Sequence, residues 1–321
     1  MVWNIILLII GMVLMIKGAD EFVEGASKLA KKMRIPTLVI GLTLVSIGTS
    51  MPEMSVSITA SIKGNNDISF GNVIGSNIFN TFFVIGSAAL FTPLLIDKNM
   101  KKFDLPILMG IYGVLALFSF VVTPEIIQTW EAIIIFALMF IYTAFLIFRS
   151  RKEIKEEQVD LNELAGIKTS SNIFLLLCGL AGVVGGGTLV VDNASLIAQA
   201  LGMSELLVGL TVVSIGTSLP ELVTSIIAAK KGENDIAVGN AIGSCLFNVV
   251  LILGLSATIK PMNVSMSSLI DIAVMFGSVL IIFILSFGKG EINKWKAIPF
   301  LVIYIVYFVY IILRDYGILA F

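Results

Sequence analysis

The chain has 321 residues, of which 57 % are hydrophobic and only 13 % are charged, and its mean hydropathy is +1.02. This composition excludes an ordinary water-soluble domain and predicts a protein that crosses a membrane many times. A net charge of −1 offers no basic surface for nucleic acid, and the lack of histidine argues against a histidine-ligated zinc or haem site, so we expect no cofactor. Cys178 and Cys245 lie in apolar runs, where we expect small buried side chains rather than a disulfide.

Ten apolar runs along the chain are about 20 residues long, the length that crosses a hydrocarbon core of roughly 30 Å. The predicted spans cover residues 3–28, 36–62, 70–92, 104–122, 127–148, 172–198, 205–229, 238–258, 268–287 and 297–314. A polar segment over 149–171 follows the fifth span, and we interpret it as a cytoplasmic linker because it is too short for a domain of ordinary size. The predicted organisation is therefore an all-α membrane protein with one five-helix repeat over 1–148 and a second over 172–321.

The distribution of Lys and Arg predicts the orientation of these spans. If the N-terminus lies outside, the cytoplasmic loops hold 17 of the 21 basic residues, as the positive-inside rule requires. Lys63, Lys260 and Arg314 then lie outside, and Lys17 lies within the first span. We therefore predict a multi-pass protein of the plasma membrane with its N- and C-termini outside.

One motif occurs twice, 168 residues apart. Gly48-Thr49-Ser50-Met51-Pro52-Glu53 recurs as Gly216-Thr217-Ser218-Leu219-Pro220-Glu221, and at the same offset the segment 71–80 resembles the segment 239–248. Each repeat holds five predicted spans, and because five is odd the second repeat enters the membrane from the opposite side. The sequence therefore predicts two inverted repeats, related by an axis in the membrane plane.

Each copy of the motif places a glutamate and a proline near the middle of a predicted span. Pro52 lacks an N–H, so the helix is expected to break there and to leave carbonyls that hydrocarbon cannot satisfy. A buried glutamate is costly at membrane depth, and two copies at one fixed offset indicate an ion site rather than an accident of packing. Thr49 and Ser50 share a helical face with Glu53, and Ser76 and Asn80 are four residues apart in the next span.

The second repeat supplies the same residue types. All candidate ligand atoms are hard oxygens, which suit Ca2+ or Na+ and do not suit a soft transition metal. The candidate ligands are Thr49, Ser50, Glu53, Ser76, Asn80, Thr217, Ser218, Glu221, Ser244 and Asn248.

Charge balance suggests how such a site works. Glu53 and Glu221 facing each other carry two negative charges, which one Ca2+ neutralises, and two or three Na+ can take its place. Mutually exclusive occupancy is the physical basis of an antiporter. Two protons could also neutralise the pair, which leaves a Ca2+/H+ exchanger as the alternative. A passive cation channel and an intramembrane enzyme are further alternatives from other classes.

The paired G-T-S-x-P-E motifs, each followed by G-N-x-x-G-S-x-x-x-N, resemble the α-repeats of the Ca2+/cation antiporter superfamily, and within it the prokaryotic Na+/Ca2+ exchangers. The resemblance implies ten helices in two inverted repeats, a central site with the ligands named above, and a single chain as the transport unit. It implies that Ser46 and Ser214 contribute backbone carbonyls and that spans one and six slide together. Proton-coupled relatives read G-N-x-x-E at the motif, so the resemblance favours coupling to Na+. Potassium-dependent relatives carry aspartate at the position of Asn248, so it also favours independence of K+.

Overall fold

The computed structural model describes residues 1–153, 169–202, 214–265, 268–288, 290–315 and 318. Within these ranges eight helices are long and apolar enough to cross a membrane, and a bent helix pair makes a ninth if it is counted as one span. Residues 203–213, which include the start of the seventh span predicted over 205–229, lie outside the described residues, as do residues 154–168 of the predicted linker.

The first half of the chain contains six helices and two short strands. They are α1 (Val2–Met33), α2 (Thr37–Thr49), α3 (Met51–Ile62), α4 (Asn66–Phe91), β1 (Leu94–Leu95), α5 (Met100–Val122), β2 (Ile126–Ile127) and α6 (Thr129–Glu153). The second half has the same order. Its elements are α7 (Thr169–Ala200), α8 (Ser214–Thr217), α9 (Leu219–Lys230), α10 (Asn234–Ile259), β3 (Met262–Asn263), α11 (Ser268–Leu285), β4 (Glu291–Ile292) and α12 (Lys294–Asp315).

Several helices extend beyond the predicted spans. The first span is predicted to end at residue 28, whereas α1 continues to Met33 and stops where Arg34 adopts a left-handed conformation with φ 56°. The reason is that hydropathy marks the edge of the hydrocarbon region, while a helix continues until its backbone is capped.

The predicted helix break is present at the repeated motif. Helices α2 and α3 meet at Ser50 with a bend of 51°. Pro52 lies in the first turn of α3, where its missing N–H leaves no intrahelical bond unmade. In the second half, Ser218 precedes α9 and Pro220 lies in its first turn.

Helices α1 and α7 pack with their backbones in direct contact. A Cβ atom on Gly18 would lie 2.6 Å from the backbone nitrogen of Val183, and one on Gly179 would lie 2.4 Å from the backbone nitrogen of Phe22. Gly11 of α1 and Gly186 of α7 make the same kind of contact about two helical turns away from Gly18 and Gly179. Only glycine allows this approach, which is typical of closely packed membrane helices.

The short strands join the two halves at both ends of the molecule. Strand β1 pairs with β4, with Leu94 opposite Ile292, and β2 pairs with β3, with Ile126 opposite Asn263. Because β1 and β2 flank the 23-residue helix segment Met100–Val122, the two strand pairs lie at opposite ends.

Each half has an ion pair between a buried aspartate and an arginine, which was not predicted from the sequence. Arg149 and Tyr142 of α6 donate to Asp104 of α5 at 2.9 and 3.1 Å. In the second half Arg314 and Tyr307 of α12 donate to Asp271 of α11. Each pair fastens the last two helices of its half to each other.

The two cysteines differ in environment. Cys245 is buried within α10 as expected, but Cys178 is exposed on α7, so the expectation of burial is wrong there. An apolar run in a membrane protein can face lipid as well as protein, and hydropathy alone does not separate the two.

Candidate functional site

The two repeated glutamates lie in the first turns of α3 and α9 and have no exposed surface, with Glu53 and Glu221 both 0 % accessible. Each receives a hydroxyl from the opposite half. Ser218 Oγ donates to Glu53 Oε1 at 2.8 Å, and Ser50 Oγ donates to Glu221 Oε1 at 2.7 Å. The predicted halves therefore meet at their central motifs, and each carboxylate is held by the other repeat.

The predicted ligands on α4 and α10 line the same region. Ser76 Oγ lies 3.0 Å from Ser218 Oγ. Ser244 Oγ lies 3.3 Å from Glu221 Oε1 and 3.4 Å from the carbonyl oxygen of Ser46. Ser76 and Ser244 are each 2 % exposed or less, so the structure gathers them in the interior.

Both predicted asparagine ligands belong to short π-helical stretches. Asn80 lies within Phe79–Val84 of α4, and Asn248 begins Asn248–Leu253 of α10. A π-helical turn leaves some carbonyls without their usual i→i−4 partners and often marks a functional site. Asn80 and Asn248 have no exposed surface, and they lie four residues beyond Ser76 and Ser244 on the same helical faces.

Four buried oxygens of this cluster have no hydrogen-bond partner among the described residues. They are Glu53 Oε2, Glu221 Oε2, Asn80 Oδ1 and Asn248 Oδ1. An acceptor buried without a donor costs roughly 1–3 kcal/mol, and more if it is charged. All four belong to predicted ligands, and an oxygen-coordinated cation satisfies such acceptors.

No basic residue neutralises the two carboxylates within the described part of the chain, where the ion pairs involve other acidic groups. Nor do the described residues contain a group of three or more Asp, Glu, Cys or His side chains placed to hold a metal ion. The arrangement can therefore hold a small hard cation with two carboxylates, hydroxyls and amides, and it lacks the ligand set of a thiolate or imidazole metal centre.

Thr49 and Thr217 are buried beside the carboxylates and bond across the two halves. Thr49 Oγ1 donates to Asn240 Oδ1 at 2.9 Å, and Thr217 Oγ1 lies 3.4 Å from Asn72 Oδ1. The structure brings both threonines to the predicted region, where their hydroxyls lie within hydrogen-bond distance of these asparagines.

Ser46 and Ser214 differ in what the structure describes. The carbonyl oxygen of Ser46 accepts the Ser50 N–H at 3.0 Å and lies 3.2 Å from Thr49 Oγ1, within the central cluster. Ser214 begins α8, and its side chain lies outside the described residues. A carbonyl contribution from Ser214 stays a prediction.

Asn72 and Asn240 were not among the predicted ligands, yet they hold the site together. Asn72 Nδ2 donates to the carbonyl of Glu53 at 3.2 Å and to Ser57 Oγ at 2.9 Å, and Asn240 makes the equivalent bonds to Glu221 and Ser225. The signal that could have found them is their presence in both copies of the G-N motif.

The sequence profile of a family described as "Sodium/calcium exchanger protein" matches residues 3–148 and 171–313. The chain belongs to the sodium/calcium exchanger family. This match covers both halves and confirms the resemblance of the repeated motifs to that family.

Comparison with individual proteins supports the same family assignment. It is 33 % identical to the sodium/calcium exchanger MaX1 of Methanosarcina acetivorans, over 95 % of this chain and 97 % of the relative. It is 38 % identical to the inner membrane protein YrbG of Escherichia coli, over 79 % of each chain. Its fold matches that of the sodium-calcium exchanger NCX_Mj soaked with 10 mM Na+ and 10 mM Sr2+, with a TM-score of 0.84, 29 % identity, and coverage of 95 % of this chain and 97 % of the other.

Proposed function

We propose that this exchanger transports Ca2+ in one direction and Na+ in the other through a single central site. The observation that carries the proposal is the pair of buried carboxylates, one from each half, with no basic partner among the described residues and one free oxygen each. The free oxygens of Asn80 and Asn248, the hydroxyls around them and the carbonyls of Ser46 and Ser214 complete the proposed ligand set.

The charge of the site explains exchange. Two buried carboxylates without a counter-ion are strongly unfavourable in a medium of low dielectric constant. One Ca2+ or several Na+ relieve this cost, and the two kinds of ion compete for the same oxygens. An ion-loaded site can then cross the barrier between the two sides, while an empty one cannot.

Two protons could neutralise the carboxylates in the same way, so a Ca2+/H+ exchanger is the alternative. Membership of a sodium/calcium exchanger family favours Na+. It gives no support to an intramembrane enzyme or to a passive channel.

The proposed alternating access fits the ten-span inverted architecture, and the strand pairs support that architecture. Paired strands lie on the same side of the membrane, so the chain crosses an even number of times between them. Between β1 and β4 lie five completely described helices that are long and apolar enough to cross, α5, α6, α7, α10 and α11. A crossing by the partly described seventh span, which includes α8 and α9, makes the number even and so supports ten spans.

In this architecture α1 and α7 form the mobile pair. Their glycine contacts hold them together as one unit, and their other faces expose large apolar side chains suited to lipid, such as Ile9, Val13 and Leu177. One chain supplies both carboxylates, so a monomer suffices as the transport unit.

The proposed orientation places both termini outside the plasma membrane, in keeping with the positive-inside distribution. Single cysteines at Lys63 and at Lys98, in a chain carrying Cys178→Ser, test it. A membrane-impermeant maleimide should label Lys63→Cys in intact cells and Lys98→Cys only after permeabilisation. The reverse pattern would contradict the orientation.

The transport proposal is tested with radioactive Ca2+ uptake into proteoliposomes that hold purified protein, at matched osmolarity. An outward Na+ gradient should drive uptake, and an outward H+ gradient alone should not. Uptake driven only by protons would move the protein to the proton-coupled alternative. Uptake that needs no counter-ion on the opposite side would indicate a channel.

A further inference from the structure

One position in the long repeat differs in chemistry between the halves. Asn77 follows Ser76 in α4, and the equivalent residue in α10, 168 positions later, is Cys245. Both residues are fully buried at the contact between the two helices. The difference therefore lies one helical turn from the proposed ion ligands Asn80 and Asn248.

Asn77 bonds to the opposite helix with both ends of its amide. Its Nδ2 donates to the carbonyl oxygen of Cys245 at 3.0 Å, and its Oδ1 accepts from Asn248 Nδ2 at 3.0 Å. In the other direction, Cys245 Sγ lies 3.5 Å from the carbonyl oxygen of Asn77, so the thiol occupies the place of the amide nitrogen.

These contacts determine which way the Asn248 amide faces. A backbone carbonyl only accepts hydrogen bonds, so Asn77 has to present its nitrogen to Cys245. Its oxygen is then left for Asn248, which has to present its own nitrogen in turn. The oxygen of Asn248 points away from Asn77 and is the buried acceptor without a partner.

The matching amide in the first half has no such support. Neither Nδ2 nor Oδ1 of Asn80 has a hydrogen-bond partner among the described residues, although the side chain is fully buried. Cys245 ends in a single sulfur atom, which reaches the carbonyl of Asn77 and has no second atom to accept from Asn80. The two asparagines are therefore inequivalent in orientation.

We propose that Asn77 is a positioning residue that holds the Asn248 amide with its oxygen toward the transported cation, while the Asn80 amide is free to rotate. The inference rests on the proposed function, because it takes Asn248 as an ion ligand. It predicts that the Asn248 oxygen keeps one orientation throughout transport, while the Asn80 amide changes its orientation when Ca2+ and Na+ replace each other.

The test is a double-mutant cycle on the KM for Ca2+ in Na+-driven uptake. Asn77→Cys copies the residue that the other half accommodates at this position, so the fold should tolerate it. Without its anchor the Asn248 amide can present nitrogen to the ion, and KM should rise about three- to tenfold, the equivalent of one lost hydrogen bond. In the Asn248→Asp background the same change should not raise KM, because both ends of a carboxylate are oxygens.

A purely structural role for Asn77 predicts the same loss in both backgrounds, and that result would overturn the inference. Cys245→Ala is the matched control and should leave KM unchanged. Cys245→Asn gives Asn80 the equivalent anchor and should lower KM about two- to threefold, which keeps the test decisive if Asn77→Cys does not fold.

The failure of the inference can be distinguished from failure of the proposed function. Unmodified protein that shows no Na+-driven Ca2+ uptake would refute the proposed function, and this inference with it. Normal uptake with an unchanged KM in Asn77→Cys and in Cys245→Asn would refute the inference alone.

Discussion

Each central carboxylate is positioned by residues from both repeats. Glu221 accepts a hydrogen bond from Ser50 of the first half, while Asn240 of its own half holds its backbone carbonyl. Glu53 has the mirror-image partners, Ser218 and Asn72. One oxygen of each carboxylate is thereby fixed, and the other is left free.

Glu53→Gln and Glu221→Gln should each abolish exchange while the protein still folds. An amide keeps the shape and an acceptor for the serine hydroxyl but removes one of the two charges that bind the ion. We expect a loss of more than about 3 kcal/mol of binding, roughly 100-fold or more, measured as Ca2+ uptake into proteoliposomes.

Glu131→Gln is the matched control. Glu131 is also fully buried, but it accepts from Thr123 Oγ1 and from the N–H of Gln128 at the start of α6, away from the repeated motifs. This variant should keep its uptake. Wild-type uptake in Glu53→Gln or Glu221→Gln would contradict the assigned role.

Sequence predicts which polar residues meet at the centre because chemistry and repetition coincide there. Glu53, Ser50 and Thr49 stand out as polar residues in an apolar run, and their second copies identify the pairing of the halves. The orienting role of Asn77 could not be predicted, because it depends on which atoms of α4 and α10 face each other. The buried pair of Asp104 and Arg149 was missed for the same reason, since 45 residues separate its members.

At the scale of the element, α1 and α7 depend on glycine. Gly186 lies against α1, and a Cβ there would be 2.6 Å from the carbonyl oxygen of Gly11 and 2.6 Å from the backbone nitrogen of Met15. Its neighbour Gly185 has no atom within 4 Å of an added Cβ. Of these two adjacent glycines, Gly186 is packed against the backbone of α1 and Gly185 faces open space.

Gly186→Ala should destabilise the protein by about 1–3 kcal/mol, because backbone atoms have to move apart. Gly185→Ala should be neutral or stabilising by up to about 1 kcal/mol, since alanine favours the helix. Thermal unfolding in detergent measures both. Equal midpoints for the two variants would contradict the close packing.

Sequence predicts the existence of these elements better than their ends. The apolar runs identify the spans of α1 and α7, but the glycine spacing alone does not distinguish Gly186, at the contact, from Gly185, which faces outward. The π-helical stretch at Asn248–Leu253 also has no sequence signal that we recognise.

At the scale of the whole molecule, one end of α1 is tied to the turn between α9 and α10. Lys231 Nζ lies 3.0 Å from Asp20 and 3.6 Å from Glu24, and Ser27 donates to Glu233. Lys63 occupies the equivalent turn of the first half, and no ion pair joins it to a described acidic residue. Helix α1, which belongs to the proposed mobile pair, is therefore held at this end by ion pairs and a hydrogen bond.

Lys231→Met should loosen that end of α1 with little loss of stability. Exposed ion pairs contribute about 0.2–1 kcal/mol each, so hydrogen–deuterium exchange over residues 20–30 should accelerate about two- to fivefold. Lys63→Met is the control and should leave the exchange rate over residues 20–30 unchanged. Equal exchange in the two variants would show that the ion pairs do not restrain α1.

The central claim is that Glu53 and Glu221 together form one site for which Ca2+ and Na+ compete. Isothermal titration calorimetry of the purified protein tests it most directly. We predict binding of one Ca2+ per chain, an apparent affinity that falls as Na+ is added, and no measurable binding in Glu53→Gln or Glu221→Gln. Ca2+ binding that is insensitive to Na+, or that persists with unchanged affinity in either variant, would contradict the claim.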